Sequence, residues 1–198
     1  MSSRKPKLSC LALLLLLTCF VGTYAQDSES KDQQNVVLTQ SLMNHELTTL
    51  KNRHLKLSDY QDKIIVLNLF APWCGPCIVN LKDLIQLRKE LKSQRVQIIG
   101  LVWSQNVARV EDLRKFLRKQ KVNFPVVWDE DDFEGSLVKA VDGKSVIPQT
   151  FVIDKSGRVR RYFQGYSPNN MPRLLREALD QIGSANVPAK PSTSPPDE

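Results

Sequence analysis

The stretch NLFAPWCGPCIVN, residues 68–80, places Cys74 and Cys77 three positions apart, behind an apolar run and ahead of a helical one. A structural zinc site needs four ligands, and only Cys74, Cys77, His45 and His54 could supply soft ones once the N-terminal segment with Cys10 and Cys19 is set aside. Covalent haem attachment would need histidine directly after the second cysteine, where Ile78 stands. A purely structural disulfide across so short a loop would constrain the unfolded chain little. Redox exchange remains: one thiolate attacks a disulfide and the partner thiol resolves the mixed disulfide. A binding module holding Cu(I) on two thiolates is the rival from another class, but no nearby histidine or methionine offers a third ligand.

The elements that must position this pair are legible in the hydrophobic pattern. Lys63 to Ala71 is a continuous apolar run of the kind that fills a strand buried on both faces, and Pro72 ends it. From Pro76, the residues Cys77, Ile78, Leu81, Leu84, Ile85, Leu87 and Leu91 recur at helical spacing, with proline tolerated in a first turn. A strand therefore feeds a helix through the cysteines. Orphan N–H groups and the positive end of the helix dipole would then stabilise a Cys74 thiolate, lowering its pKa from about 8.5 toward roughly 7 or below. Cys74 is the expected nucleophile and Cys77, one turn further in, the resolving thiol.

Val96 to Trp103 reads as a second buried strand, and Val107, Val110, Leu113, Phe116 and Leu117 as the apolar face of a second helix. Val126 to Trp128 and Phe133 to Val141 add a short strand and a short helix. QTFVID, a KSG turn and RVRRYFQGY form a hairpin, closed by a helix over about Met171 to Ile182. Parallel pairing is expected in the first half and antiparallel pairing in the hairpin, giving an α/β fold with a mixed central sheet flanked by helices.

A second segment, VIPQT at residues 146–150, holds Pro148. An X-Pro bond is the one place where a cis peptide costs little, and a cis bond would turn neighbouring backbone groups toward an extended substrate; a plain turn proline is the other reading. Together, WCGPC, VIPQT and the hairpin TFVIDKSGRV resemble the thioredoxin superfamily. The leader LKNRHLKLSDYQDKIIVLNLFAPWCGPC is similar to its exported TlpA/ResA-like branch, which includes reductases of cytochrome c maturation. The resemblance spans roughly residues 42–182. It implies a thioredoxin fold, an exposed Cys74, a redox disulfide between Cys74 and Cys77, and Pro148 as a cis-proline facing them. Gly75 and Pro76 complete the motif, Ile147 would offer its backbone to substrates, and Trp73 would pack both beside the disulfide and into the core.

Three positions depart from acid-bearing relatives. Asn68 replaces the buried aspartate of thioredoxins proper, Asn80 stands where reductases of the branch carry glutamate, and Gln149 follows the proline where some carry an acid. A buried carboxylate near thiols raises their pKa values by repulsion and can act as a base for the resolving cysteine. Amides in those places predict a lower Cys74 pKa and a more oxidising couple than in a glutamate-bearing relative. Lys82 adds a positive charge in the same helix, more simply read as a solvated lysine.

Residues 1–25 have Arg4, Lys5 and Lys7 ahead of an apolar run from Leu8 to Val21, with small residues at Thr23 to Ala25, as in a secretory signal; a retained anchor is the alternative. Loss of those residues would take three basic groups and no acid, lowering the formal charge from +7 to +4. Basic residues are dispersed rather than clustered with aromatics, which argues against nucleic acid as a partner. Export would place the pair where disulfides persist, in the periplasm or at the outer face of the inner membrane if the source is bacterial. Residues 26–40 are expected to be a flexible linker, 41–182 the folded domain and 183–198 a disordered tail.

The acidic run DEDDFE, Asp129 to Glu134, lacks the spacing of a calcium loop and suits a helix N-terminus better. RVRR, Arg158 to Arg161, reads as a solvated strand face, and His45 and His54 as surface residues. The sequence thus points to an extracytoplasmic thiol-disulfide oxidoreductase that needs no metal or cofactor beyond its cysteines. It would exchange electrons with protein disulfides or dithiols and with a membrane electron donor or acceptor. Cytochrome c maturation is the leading role, and general disulfide oxidation or isomerisation the alternative.

Overall fold

The computed structural model describes residues 30–91, 95–103, 109–128 and 132–185. Strand β4, Ile64–Phe70, is buried along its whole length, as its unbroken apolar run requires of a central strand. It pairs in parallel with β5, Val96–Val102, and antiparallel with β7, Gln149–Ile153. β5 pairs in parallel with β6, Val126–Trp128, and β7 forms a hairpin with β8, Arg158–Gln164. The mixed sheet expected from the sequence is the one observed. Three further strands extend it: β1 (Ser30–Val37), β2 (Leu47–Thr49) and β3 (His54–Leu55), in the spatial order β1-β8-β7-β4-β5-β6-β2-β3.

The period of two along β4 divides the core. Ile64, Val66 and Phe70 face one layer, with Leu81, Leu84 and Ile85 of α2 (Gly75–Glu90) and Leu175 and Leu179 of α5 (Met171–Ala185). Ile65, Leu67 and Leu69 face the other, with Met43 of α1 (Gln40–Asn44) and Leu137 of α4 (Phe133–Ala140). Leu113 of α3 (Val110–Gln120) joins the first layer. Asn68 therefore lies on the face that α2 covers, a buried polar residue in an otherwise apolar strand.

The flexible linker expected over residues 26–40 is corrected where the structure describes it: Ser30–Val37 is a strand antiparallel to β8, with Val36 opposite Val159. Edge pairing of this kind is made by backbone groups, which a polar composition does not disclose. At the other end α5 runs to Ala185, three residues into the expected tail. Residues 1–29 and 186–198, and with them the signal-like segment and most of that tail, lie outside the described residues, as do Val107 and Asp129 to Asp131.

The β7–β8 turn shows how local chemistry fixes the hairpin. The buried Asp154 carboxylate accepts hydrogen bonds from the Ser156 amide and hydroxyl, from the Arg158 amide and from Arg160 Nε at 2.6 Å, while Gly157 takes φ +75°. Burial alone would raise the Asp154 pKa; these donors outweigh it and hold the carboxyl below its ordinary value. A depressed folded value means stability present above the unfolded pKa near about 4 and lost as pH falls through the folded one. Asp154→Asn is expected to cost about 1–2 kcal/mol at pH 7 and to flatten the fall in stability below about pH 4, measured by urea unfolding across pH.

Candidate redox site

Pro72 and Trp73 carry the chain from the end of β4 into α2, whose N-cap is Cys74. Its sulfur occupies the capping position usually taken by a hydroxyl or carboxylate, accepting a hydrogen bond from the Cys77 amide at 3.2 Å. Cys74 and Cys77 are joined by a disulfide with a Cα–Cα distance of 5.2 Å. The Ile147–Pro148 peptide is cis, and the Ile147 carbonyl lies 3.9 Å from Cys74 Sγ. Two segments more than 70 residues apart in sequence thus meet at one sulfur.

Burial ranks the two cysteines, and the exposed Cys74 expected from the sequence is corrected in degree. Cys74 is 8% exposed and Cys77 1%, because the Cys74 sulfur is bonded on one side and faces the Ile147 carbonyl on the other. Trp73 is also corrected: it is 55% exposed rather than packed in the core, since it stands on the loop beyond the end of the sheet. Gly75 and Pro76 are exposed, and a Cβ on Gly75 would meet no atom within 4 Å. Trp73, Val79 of α2 and Val146 of the proline loop are large apolar side chains exposed to solvent, the first two within two residues of the disulfide and the third two residues before Pro148.

Buried amides flank β7 on both faces of the sheet. Asn68 Nδ2 donates to the Gln149 carbonyl at 3.1 Å and to Thr150 Oγ1 at 3.0 Å, and Asn80 Nδ2 reaches the same hydroxyl at 3.5 Å. Asn68 Oδ1 is buried with no hydrogen-bond partner among the described residues. Gln149 Nε2 donates to the Lys144 carbonyl at 2.8 Å and to the Val146 carbonyl, and its Oε1 accepts from the Tyr162 hydroxyl. Burial pushes the Tyr162 phenol well above its ordinary pKa, so it stays a donor. Lys144 N in turn donates to Gln164 Oε1 at 2.9 Å. The loop that ends in the cis-proline is therefore tied to β7 and β8 by polar side chains.

Asn68 and Asn80, singled out in the sequence, meet at Thr150 on the face that α2 covers, whereas Gln149, opposite Leu69, turns its side chain to the other layer and Tyr162, and Lys82 is exposed on α2. Thr150 and Tyr162 carry no chemical signal of their own in the sequence. Thr150 sits opposite Asn68 in the β4–β7 ladder, a register invisible before the strands are paired. Tyr162 is fully buried, unlike the arginines before it. The histidines lie elsewhere: His45 stacks on Phe133 with ring centroids 5.0 Å apart, and His54 pairs with Glu46 at 3.3 Å. Among the described residues no group of three or more His, Cys, Asp or Glu could hold a metal ion, and no helix is long and apolar enough to cross a membrane.

The model of the AhpC/TSA family matches residues 38–162, from just before α1 to β8. The chain belongs to the AhpC/TSA family. Among the proteins similar to this AhpC/TSA chain are bacterial thiol-disulfide oxidoreductases named ResA. That of Geobacillus kaustophilus is 29% identical over 78% of this chain and 84% of its own. That of Bacillus subtilis is 28% identical over 80% and 85%. A thiol:disulfide interchange protein of the thioredoxin family from Chlorobium tepidum superposes with a TM-score of 0.58 at 22% identity, covering 75% of this chain and 99% of that one. The fold is thioredoxin-like.

Proposed function

We propose that this protein, a thioredoxin-like thiol-disulfide oxidoreductase, works outside the cytoplasm as a dithiol reductant of protein disulfides, with c-type cytochrome maturation as its setting. The observation that carries the reading is the Cys74–Cys77 disulfide at a helix N-terminus beside the carbonyl that precedes a cis-proline. The similarity to proteins named ResA supports the class, and the leader sequence before the cysteines supports the branch. The signal-like residues 1–25 support export, with cleavage or retention as an anchor deciding how the domain is held.

In the reduced state Cys74 is the nucleophile. Its thiolate is stabilised by the Cys77 amide and the α2 dipole, and it attacks one sulfur of a substrate disulfide. The substrate disulfide breaks, one substrate sulfur leaves as a thiolate, and a Cys74–substrate mixed disulfide forms. Cys77, deprotonated, then attacks Cys74, releasing the second substrate thiolate and forming the observed intramolecular disulfide. Two electrons pass from the dithiol to the substrate, and an external donor on the membrane must return them. Trp73, Val79 and Val146 supply an apolar rim for the substrate chain, and the Ile147 backbone lies where an extended segment can pair with it.

The test is single-turnover reduction of an oxidised Cys-X-X-Cys-His peptide by the reduced protein. Reduction faster than that of an unrelated protein disulfide supports the cytochrome setting; equal or slower reduction removes it. The amides favour a couple displaced toward oxidation relative to a glutamate-bearing site, which is the feature in favour of disulfide oxidation or isomerisation. Asn80→Glu is expected to raise the Cys74 thiol pKa, by about one unit or more, and to make the couple more reducing. Thiolate absorbance against pH and redox-buffer titration check the two effects.

A further inference from the structure

A cleft of about 780 Å³ opens between the β2–β3 turn, the C-terminal half of α3 and the segment leading into β6. None of its lining residues belongs to the first turn of α2 or to the cis-proline loop. Five cations line it from two elements: Lys51 and Arg53 from the turn, and Arg114 and Arg118 from α3 with Lys121 as its C-cap. Its apolar lining is supplied by Leu50, Leu117, Phe124 and Pro125.

The walls are tied in place. Arg114 Nε donates to the Leu50 carbonyl at 3.1 Å, the Leu50 amide donates to the Val126 carbonyl at 3.1 Å, and the Arg53 amide donates to Thr49 Oγ1 at 3.0 Å. Asn52 at the tip of the turn takes φ +55°, and Lys121 caps α3 at φ +58°. One carboxylate, Glu111, is shared between Arg114 at 3.5 Å and Arg118 at 3.4 Å. Lys51, Arg53 and Lys121 make no ion pair among the described residues, and all three are exposed. The cleft is thus strongly positive over an apolar floor, in a chain whose basic residues are otherwise interleaved with acids.

We infer that this cleft docks an acidic segment of a protein partner, an extended stretch in which carboxylates flank an aliphatic or aromatic residue. Charge complementarity chooses the sign. The division of labour within the cleft chooses the class: a compact anion such as phosphate would leave Leu117, Phe124 and Pro125 uncovered, whereas a peptide satisfies rim and floor together. A partner held here engages a surface separate from the residues around the disulfide, so the inference does not depend on which disulfide the cysteines serve.

An array of random dodecapeptides probed with the full chain tests this, beside a Lys51→Glu/Lys121→Glu double variant. Both side chains are exposed and outside the redox site, so reduction of a small disulfide is expected to be unchanged. Retained peptides are expected to be enriched in Asp and Glu around an apolar residue, to bind the double variant more than tenfold more weakly, and to weaken steeply as salt rises. Should the double variant misfold, Lys51→Gln/Lys121→Gln replaces it, with a loss in the same direction. Equal retention by wild type and variant, no acid enrichment, or complete competition by micromolar inorganic pyrophosphate would each overturn the inference.

Discussion

Cys77→Ser is expected to stop turnover and leave the protein covalently joined to its substrate. With the resolving thiol gone, the Cys74–substrate mixed disulfide has no internal thiolate to break it, so it accumulates to near one equivalent and is visible by non-reducing mass analysis. Cys74→Ser should give neither turnover nor adduct, with exchange falling to the uncatalysed background. The asymmetry follows from burial: Cys74 is 8% exposed at the mouth and Cys77 1% behind it. Adduct on Cys77 in the Cys74→Ser protein would reverse the assignment.

Gln149→Ala is expected to be the most costly of the polar substitutions. Gln149 is fully buried and is satisfied on both sides of its amide, by the Tyr162 hydroxyl and by the Lys144 and Val146 carbonyls. Truncation orphans a buried phenol and loosens two carbonyls, for a loss of about 2–4 kcal/mol in urea unfolding. Because those carbonyls belong to the loop ending at Pro148, exchange should also slow, with the rise appearing in KM as the Ile147 backbone loses its position. Gln149→Glu keeps the shape and the Tyr162 bond but turns an acceptor toward two carbonyls. Its carboxyl is therefore expected to remain protonated well above the ordinary carboxylate range. Unchanged stability in Gln149→Ala would mean that the loop holds itself.

Much of this was legible before any strand was paired. The all-apolar stretch before the cysteines could only be a central strand, and it is buried from Ile64 to Phe70. The helical spacing after them placed Cys77, Leu81, Leu84 and Ile85 on the buried face of α2, as found. Three things stayed hidden for identifiable reasons. Strand β1 is held by backbone pairing with β8, which leaves little mark on side-chain composition. Trp73 carries a large apolar side chain that the hydrophobic effect alone would bury, but its position past the strand end keeps it in solvent. Thr150 and Tyr162 gain their roles from cross-strand register, Thr150 facing Asn68 and Tyr162 facing Phe151, so no local pattern could announce them.

The amides were legible as departures from acid-bearing relatives, and the structure gives them a concrete place: Asn68 and Asn80 converge on one threonine hydroxyl on the face of the sheet that α2 covers. Their effect is a displacement of the couple relative to a carboxylate in the same position, which Asn80→Glu isolates within one protein. It does not by itself set the direction of electron flow.

That direction is read by the reduction potential of the Cys74–Cys77 couple, titrated in glutathione and dithiothreitol buffers with the fluorescence of the adjacent Trp73 as the signal. A reductant of protein disulfides predicts a value near or below roughly −230 mV, within reach of a thioredoxin-like donor. A value near about −120 mV would make the protein a disulfide donor and contradict the reductive role.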